Sequence, residues 1–249
     1  MIWVLFISAK FSISKKNNKH TKETKTRDYS LLSYYNDMKN LIIVGAGGYA
    51  KSVLDSVDHM NFKMIGYLDD IKEKGTDHQG YPVLGNSIDN IDKPEQYVYF
   101  VAIGNNAKRN AWFNKLKERN LSLINVIDKS ALVSHAATIG EGSFIGKLAI
   151  LNHGCSVGDN CVINTRALIE HGCHIKNHVN VSTNATLNGD VICEEGSFIG
   201  SGTVVNGQLT IGEWSLVGSG AVVIKDVRPH TTVVGVPAKE IQSTNHKYN

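Results

Sequence analysis

Hydrophobic residues recur at every sixth position over about a hundred residues of the chain. Steps of six from Ile127 to Val223 meet 17 positions, of which sixteen are aliphatic and the other is Cys193. A second series, four residues after the first, is small or aliphatic throughout, from Ala131 to Val227. No helix has this period, and no hairpin array sustains it for so long. The pattern predicts a parallel β-helix over residues 127–241, with three short sides per coil and aliphatic side chains stacked inside.

Glycine often follows the aliphatic position of this repeat directly. We expect Gly or Asn to occupy the strained turns between the sides of each coil. The glycines at this position are Gly140, Gly146, Gly158, Gly200, Gly212 and Gly218.

The chain before the repeat has a different pattern. An apolar run at 41–44 is followed by a glycine turn, and residues 49–57 then have helical spacing. Further apolar runs at 65–68 and 97–103 predict strands, and residues 107–119 predict an amphipathic helix. Residues 38–126 are therefore expected to form a small α/β, Rossmann-like domain in front of the β-helix, in a protein that is mainly β.

The glycine turn of this α/β domain is a candidate binding site. Small residues let a ligand approach the backbone, and free N–H groups at a helix start attract anions. Carboxylates at the end of the second predicted strand are placed to accept hydrogen bonds from a ribose or a sugar. We predict a nucleotide or nucleotide-sugar pocket, with a purely structural βαβ unit as the alternative. The predicted pocket residues are Gly47, Gly48, Tyr49, Asp69, Asp70 and Gly104.

Composition and charge exclude several classes of protein. Hydrophobic residues make up 42% of the chain and charged residues 20%, which is typical of a globular fold. The net charge is +3, but residues 1–37 carry seven basic and three acidic side chains, so the rest carries −1. A nearly neutral body argues against nucleic acid as the main partner.

The two ends of the chain stand apart from this plan. Residues 1–8 are apolar and a lysine-rich tract follows, the reverse of the order in a signal peptide. We expect a disordered extension over residues 1–37, with a membrane-surface anchor as the alternative, and a short tail over 242–249. Without an export signal or an apolar run of about 18 residues, the sequence predicts a cytoplasmic protein without stable membrane insertion.

Cysteines and histidines within the repeat are candidates for chemistry. Cys155, Cys161, Cys173 and Cys193 fall on interior positions, so we expect buried thiols rather than disulfides or nucleophiles. Three histidines one coil apart form a linear row, which does not suit tetrahedral zinc, and we predict no metal site. The row consists of His135, His153 and His171, whereas His174 and His178 are expected to be surface residues.

Residues 38–241 resemble the hexapeptide-repeat acyltransferases, and within them the sialic acid O-acetyltransferase and UDP-4-amino-sugar N-acetyltransferase family. The resemblance implies a left-handed β-helix, a homotrimer, and acetyl-CoA bound in the groove between neighbouring β-helices. It also implies direct acetyl transfer to an amino or hydroxyl group of a nucleotide-linked sugar for bacterial surface glycan synthesis. The motifs that carry it are Ile43-Val44-Gly45-Ala46-Gly47-Gly48, Leu68-Asp69-Asp70, Ala102-Ile103-Gly104-Asn105-Asn106, Ile169-Glu170-His171 and Val234-Gly235-Val236-Pro237-Ala238-Lys239.

The same resemblance assigns roles to residues of the β-helix. His171 matches the general base, a role that suits histidine because imidazole titrates near neutral pH. The family usually has an acid directly after this histidine, where this chain has Gly172; Glu170 is the candidate substitute. If the missing acid matters, we expect Gly172→Asp to raise the rate or to shift its pH profile toward stronger basicity, and His153 is the rival base. The positions that match acetyl-CoA contacts are Asn180, Ser201 and Ser219.

Other functions remain open from the sequence. Gly172 and Tyr49, which replaces a histidine of the family's N-acetyltransferases, favour a catalytically idle trimeric scaffold as one alternative. A serine-type O-acetyltransferase acting on a small metabolite is another. Neither the acceptor sugar nor the choice between N- and O-acetylation follows from the sequence.

Overall fold

The computed structural model describes residues 38–241. The predictions for residues 1–37 and 242–249 lie outside this range. Within it the protein is mainly β, with an α/β portion followed by a parallel β-helix, as the residue pattern predicts. The β-helix is left-handed, as the family resemblance implies. No helix in this range is long and apolar enough to cross a membrane.

The α/β portion is built on one six-stranded sheet. The spatial order is β3-β4-β2-β1-β5-β6, and every pairing is parallel except the β3–β4 pairing. The elements are β1 (Lys39–Val44), α1 (Gly48–Ser56), β2 (Phe62–Leu68), β3 (Asp77–His78), β4 (Tyr81–Gly85), β5 (Val98–Val101), α2 (Asn106–Glu118) and β6 (Ser122–Leu123). Short 3₁₀ turns lie at Ile88–Asn90 and Pro94–Gln96.

Each coil of the β-helix contributes one short strand to each of three faces. The strands of the first face are Val126–Ile127, Phe144–Ile145, Val162–Ile163, Asn180–Val181, Phe198–Ile199, Leu216–Val217, Thr232–Val234 and Lys239–Ile241, the last of them antiparallel. Those of the second face are Leu132–Val133, Ile150–Leu151, Leu168–Ile169, Thr186–Leu187, Val204–Val205 and Val222–Val223. Those of the third face are Thr138–Ile139, Ser156–Val157, His174–Ile175, Ile192–Cys193 and Thr210–Ile211.

The six-residue series forms the interior of these coils. From Ile145 to Val223 every member of the aliphatic series is buried, and the four cysteines are buried with it. Ile127 and Val133 are 42% and 37% exposed because they belong to the first coil, which no preceding coil covers.

The turns between faces differ from the expectation. Gly146 and the other glycines at its position do not have a positive φ. They are needed for close packing instead, since a Cβ on Gly146 would lie 2.9 Å from the Thr165 nitrogen of the next coil. The left-handed residue falls two positions later, at every sixth residue from Gly142 to Gly220, and more than half of these residues are not glycine.

The α/β portion packs on the first face of the β-helix. Val126, Phe144 and Val162 point outward from that face and join the core formed by β1, α1 and β5. Five of the six outward positions of the second face are aliphatic, and all six are at least partly exposed, with Leu132 64% exposed. The α/β portion therefore covers one face and leaves a second apolar face uncovered.

Ile163→Asp tests the register of the coils. Ile163 is fully buried within the stack, so an unpaired carboxylate there would cost several kcal/mol of desolvation. We expect insoluble protein on expression. His174→Asp is the control, because His174 points outward on the third face and is exposed; it should leave the protein soluble. A soluble, folded Ile163→Asp variant would contradict the assignment of interior positions.

Candidate active site

A cavity of about 320 Å³ lies at the carboxyl ends of β1, β2 and β5. It is the kind of crevice in which open α/β sheets bind ligands. All six pocket residues proposed from the sequence line it, namely Gly47, Gly48, Tyr49, Asp69, Asp70 and Gly104.

The glycine turn opens this cavity to a ligand. Gly45 has a φ of +98°, and a Cβ there would lie 2.8 Å from the Ala102 carbonyl oxygen, so only glycine fits. No atom lies within 4 Å of the place where a Cβ would sit on Gly47 or Gly48. Helix α1 begins at Gly48 without a side-chain cap and without an acid in its first turn. Its first N–H groups are therefore available to an anion.

Asp69 and Asp70, which both line the cavity, have different roles. Asp69 Oδ2 accepts from the Ala46 N–H at 2.7 Å, and its Oδ1 accepts from the N–H groups of Ile71 and Lys72 at 2.9 and 2.8 Å. Burial opposes ionisation of Asp69, but these N–H groups outweigh it and lower its pKa. Asp70 is exposed and accepts only at Oδ2, from Trp112 Nε1 at 3.3 Å. Asp69 thus holds the glycine turn, whereas Asp70 has an oxygen to offer a ligand.

Eight further residues line the cavity that were not proposed as pocket residues, and three of these also lie outside the motifs quoted from the sequence. Ile71 follows the two aspartates, and Lys108 and Trp112 extend from α2. Lys108 brings a cation to the cavity that contains the open end of α1. The sequence could have indicated Lys108 and Trp112 as cavity residues. A helix that begins just after Gly104 must start at the edge of the sheet where the cavity lies.

The corner between the second and third faces carries the predicted base. His135, His153 and His171 stack along it, with 6.2 Å between the ring centroids of His135 and His153. The His171 side chain is 66% exposed, and its Nδ1 lies 3.4 Å from Glu170 Oε2. Its Nε2 faces Gly189 of the next coil, where a Cβ would lie only 2.6 Å from it. Because Gly189 has no side chain, the His171 imidazole can occupy the space beside it.

The structure shows two costs for the Gly172→Asp substitution, whose effect on the rate stays a prediction. Gly172 has a φ of +67°, and a Cβ there would lie 2.0 Å from Asp190 Oδ1 of the next coil. An aspartate would be strained and would meet a like charge. Asp190 itself donates its N–H to the His171 carbonyl at 2.9 Å. An acid directly after His171 would therefore require the Asp190 side chain to move.

His178 and the cysteines of the β-helix do not belong to this site. His178 was expected at the surface but is buried, with its ring edge-on to Phe113 at 5.5 Å. Burial raises the pKa of Cys155 to about 11 and that of Cys161 to about 12, which disfavours a thiolate nucleophile. Among residues 38–241, no three or more histidine, cysteine or acidic side chains are grouped so as to hold a metal ion.

The residues matched to acetyl-CoA lie away from His171. Ser201 and Ser219 stack on the corner between the first and second faces and are exposed. Space beside them is open, since nothing lies within 4 Å of a Cβ on Gly202 or Gly220. Asn180 is buried on the first face and accepts from Ser182 Oγ at 3.1 Å. Within one chain, the cavity, the histidine corner and this serine corner remain apart.

Comparison with known proteins matches both parts of the chain. Residues 40–116 match the PglD N-terminal domain, and residues 136–170 match the bacterial transferase hexapeptide repeat. The acetyltransferase domain of PglB from Neisseria gonorrhoeae is 32% identical, with a TM-score of 0.77 over 82% of this chain and 100% of that one. PerB from Caulobacter crescentus, solved with CoA and GDP-perosamine, is 31% identical, with a TM-score of 0.75 over 81% and 97% of the two chains.

The chain belongs to the hexapeptide-repeat acyltransferases. Within them it falls in the sialic acid O-acetyltransferase and UDP-4-amino-sugar N-acetyltransferase family, so it is an acyltransferase. WeeI from Acinetobacter baumannii is a further similar structure, 29% identical with a TM-score of 0.75 over 82% of this chain and all of that one. An uncharacterised protein of Acanthamoeba polyphaga mimivirus is 31% identical over 106 residues, and the match covers only 20% of its length.

Gly189→Ala tests whether the His171 ring position matters to this acyltransferase. Gly189 does not have a positive φ, so alanine is compatible with the backbone, and only the imidazole must move. We expect kcat to fall by roughly 10- to 100-fold, since a small misplacement of a reacting group is costly. In a His171→Ala background the same change should cost nothing further. Equal losses in both backgrounds would contradict the role of the ring.

Proposed function

We propose that this acyltransferase transfers acetyl from acetyl-CoA to an amino group of a nucleotide-linked sugar for bacterial surface glycan synthesis. The observation that carries the proposal is the cavity, which combines an open helix N-terminus, a lysine and a free carboxylate oxygen. The similar structures support both substrates: the PglB domain was also solved with acetyl coenzyme A, and PerB with GDP-perosamine. We propose a cytoplasmic location, where both substrates are made.

Acceptor binding is the task we assign to residues 38–126, and acetyl transfer to residues 127–241. The diphosphate would lie at the first N–H groups of α1, where Gly47 and Gly48 leave room and Lys108 supplies charge. Asp70 would accept hydrogen bonds from hydroxyl groups of the ligand. Tyr49 lies in the glycine turn, so a base or sugar near this turn would contact an aromatic ring.

His171 is the proposed general base. Glu170 Oε2 faces Nδ1 and favours a proton there, which leaves the lone pair on Nε2 to act as the base. The acceptor nitrogen attacks the thioester carbonyl while Nε2 takes its proton. The tetrahedral oxyanion, stabilised by backbone N–H groups, collapses and expels the CoA thiolate, which takes the proton back from the imidazolium. No covalent enzyme intermediate is needed.

A homotrimer completes this site in our proposal. The uncovered second face presents one outward residue per coil, aliphatic in all but one coil, and a second copy can bury this stripe. The histidine corner borders this face on one side and the serine corner borders it on the other. A groove between copies would therefore bring His171 of one copy to Ser201 and Ser219 of another, with acetyl-CoA between them. Asn180 joins this groove only if packing of the trimer exposes its side chain.

An acceptor screen with acetyl-CoA tests the reaction. Release of CoA thiol, followed with a thiol reporter, should depend on an amino sugar linked to a nucleoside diphosphate. The matched hydroxy-sugar nucleotide should be inert. Preference for the hydroxy sugar would replace N-acetylation by O-acetylation, preference for free serine would favour the small-metabolite enzyme, and no release with any acceptor would favour the idle scaffold.

His171→Ala should lower kcat by roughly 10²- to 10⁴-fold, the usual effect of losing a positioned general base. Affinity for acetyl-CoA should change little, because the imidazole meets the acceptor proton. His153→Ala is the matched control one coil away and should cost less than about tenfold. A fully active His171→Ala with an inactive His153→Ala would move the base one coil earlier, and two active variants would rule out a histidine base.

A further inference from the structure

Helix α2 lies along the third corner of the β-helix, between the third and first faces. Asn106 Nδ2 donates to the carbonyl oxygens of Gly196 and Ser197 at 3.0 and 3.3 Å. Three coils earlier in the stack, Lys117 at the other end of the helix pairs with Glu141 on the same corner. The α-helical pitch of about 5.4 Å is close to the strand spacing of about 4.8 Å, so each turn of α2 meets about one coil.

Arg109 occupies the centre of this contact and is only 1% exposed. On the β-helix side, its Nε donates to the Asn160 carbonyl at 3.1 Å and its Nη2 to the His178 carbonyl at 2.8 Å. On the other side, Nη1 donates to the carbonyls of Ile103 and Gly104 at 3.2 and 3.5 Å. These two residues are part of the cavity wall. One planar side chain thus joins the cavity wall to two successive coils.

The guanidinium has no ion pair among the salt bridges of the residues described. Burial lowers the pKa of Arg109, because removing the charged guanidinium from water costs solvation free energy. Backbone carbonyls take the place of a carboxylate, and a planar fork is needed to reach four of them in two directions. Lysine has a single ammonium, which cannot reach both walls. An apolar side chain at position 109 would be enough to pack α2 against the corner, so the four hydrogen bonds of Arg109 indicate a further role.

The surroundings of Arg109 keep a second charge away. Asn160 Nδ2 lies 2.9 Å from His178 Nδ1, and burial together with the Arg109 charge lowers the pKa of His178 to about 4. His178 is therefore neutral near pH 7. The Tyr49 hydroxyl, which is buried without a hydrogen-bond partner, lies within the electrostatic reach of Arg109. Tyr49 is itself a cavity residue, so Arg109 is linked to the cavity at two places.

We propose that Arg109 is a positioning residue for the acceptor cavity. Its guanidinium holds the Ile103–Gly104 wall in a fixed place relative to the β-helix corner at Asn160 and His178. This inference rests on the proposed function in one respect, namely that the cavity binds the nucleotide-linked acceptor.

Arg109→Lys tests this role, with Phe113→Leu as the matched control. Phe113 packs against His178 and Gly142 on the same corner and is not among the residues that line the cavity. Both variants should lower the melting temperature. Only Arg109→Lys should raise the KM for the acceptor, by about tenfold or more, and speed amide exchange over residues 102–106. Its kcat at saturating acceptor and its KM for acetyl-CoA should stay within about twofold of the unchanged protein.

An acceptor KM that rises no more in Arg109→Lys than in Phe113→Leu would overturn the proposal. If Arg109→Lys does not fold, exchange in the unchanged protein decides, because coupling between two sites is reciprocal. Saturation with UDP or GDP should then slow amide exchange at Asn160 and His178. Exchange at Gly220, which lies on another corner, should not change. Unchanged exchange at Asn160 and His178 would overturn the proposal. If no nucleotide binds, the proposed function fails. The role of Arg109 is then decided by whether amide exchange over residues 102–106 is faster in Arg109→Lys than in Phe113→Leu.

Discussion

The rest of the structure depends on the hydrogen-bond ladder that stacks one coil on the next. Phe144 donates its N–H to the Cys161 carbonyl, Val162 to Val179, and Asn180 to Ser197, all at 2.8–3.0 Å. This ladder places residues 18 positions apart directly above one another. It decides that His171 meets Gly189 and that Gly172 meets Asp190. A slip of one residue would turn the aliphatic series outward and separate these pairs.

The same spacing explains how an α/β portion can be attached to a β-helix. The pitch of α2 is close to the distance between coils, so polar contacts repeat along the corner from Gly196 towards Glu141. The attachment places the cavity on the side of the first face. The histidine corner lies between the other two faces. A single chain therefore carries the cavity and His171 at different places on the β-helix, and the homotrimer that we propose would bring them together.

The features that the sequence predicts well are those carried by a period or by a local signal. The six-residue series predicts the interior of the coils, and the glycine turn predicts both the start of α1 and the cavity. The β3–β4 pair was not predicted, because β3 has only two residues and shows no alternation. The burial of His178 and the bonds of Arg109 were missed because they depend on α2 docking against coils 51 to 69 residues away. The closeness of Asp190 to Gly172 was missed for a related reason, since Asp190 lies in another coil.

Complementation between two inactive variants tests the central claim, that the site is completed across copies. Gly104→Trp would place an indole in the cavity, and its Cβ has room because nothing lies within 4 Å of that position, whereas His171→Ala removes the base. Each should be inactive alone and trimeric by light scattering. After co-refolding, random assortment should restore about a quarter of the activity, because some sites then combine an open cavity with an intact His171 from a different copy. Mixed trimers without activity would contradict the account.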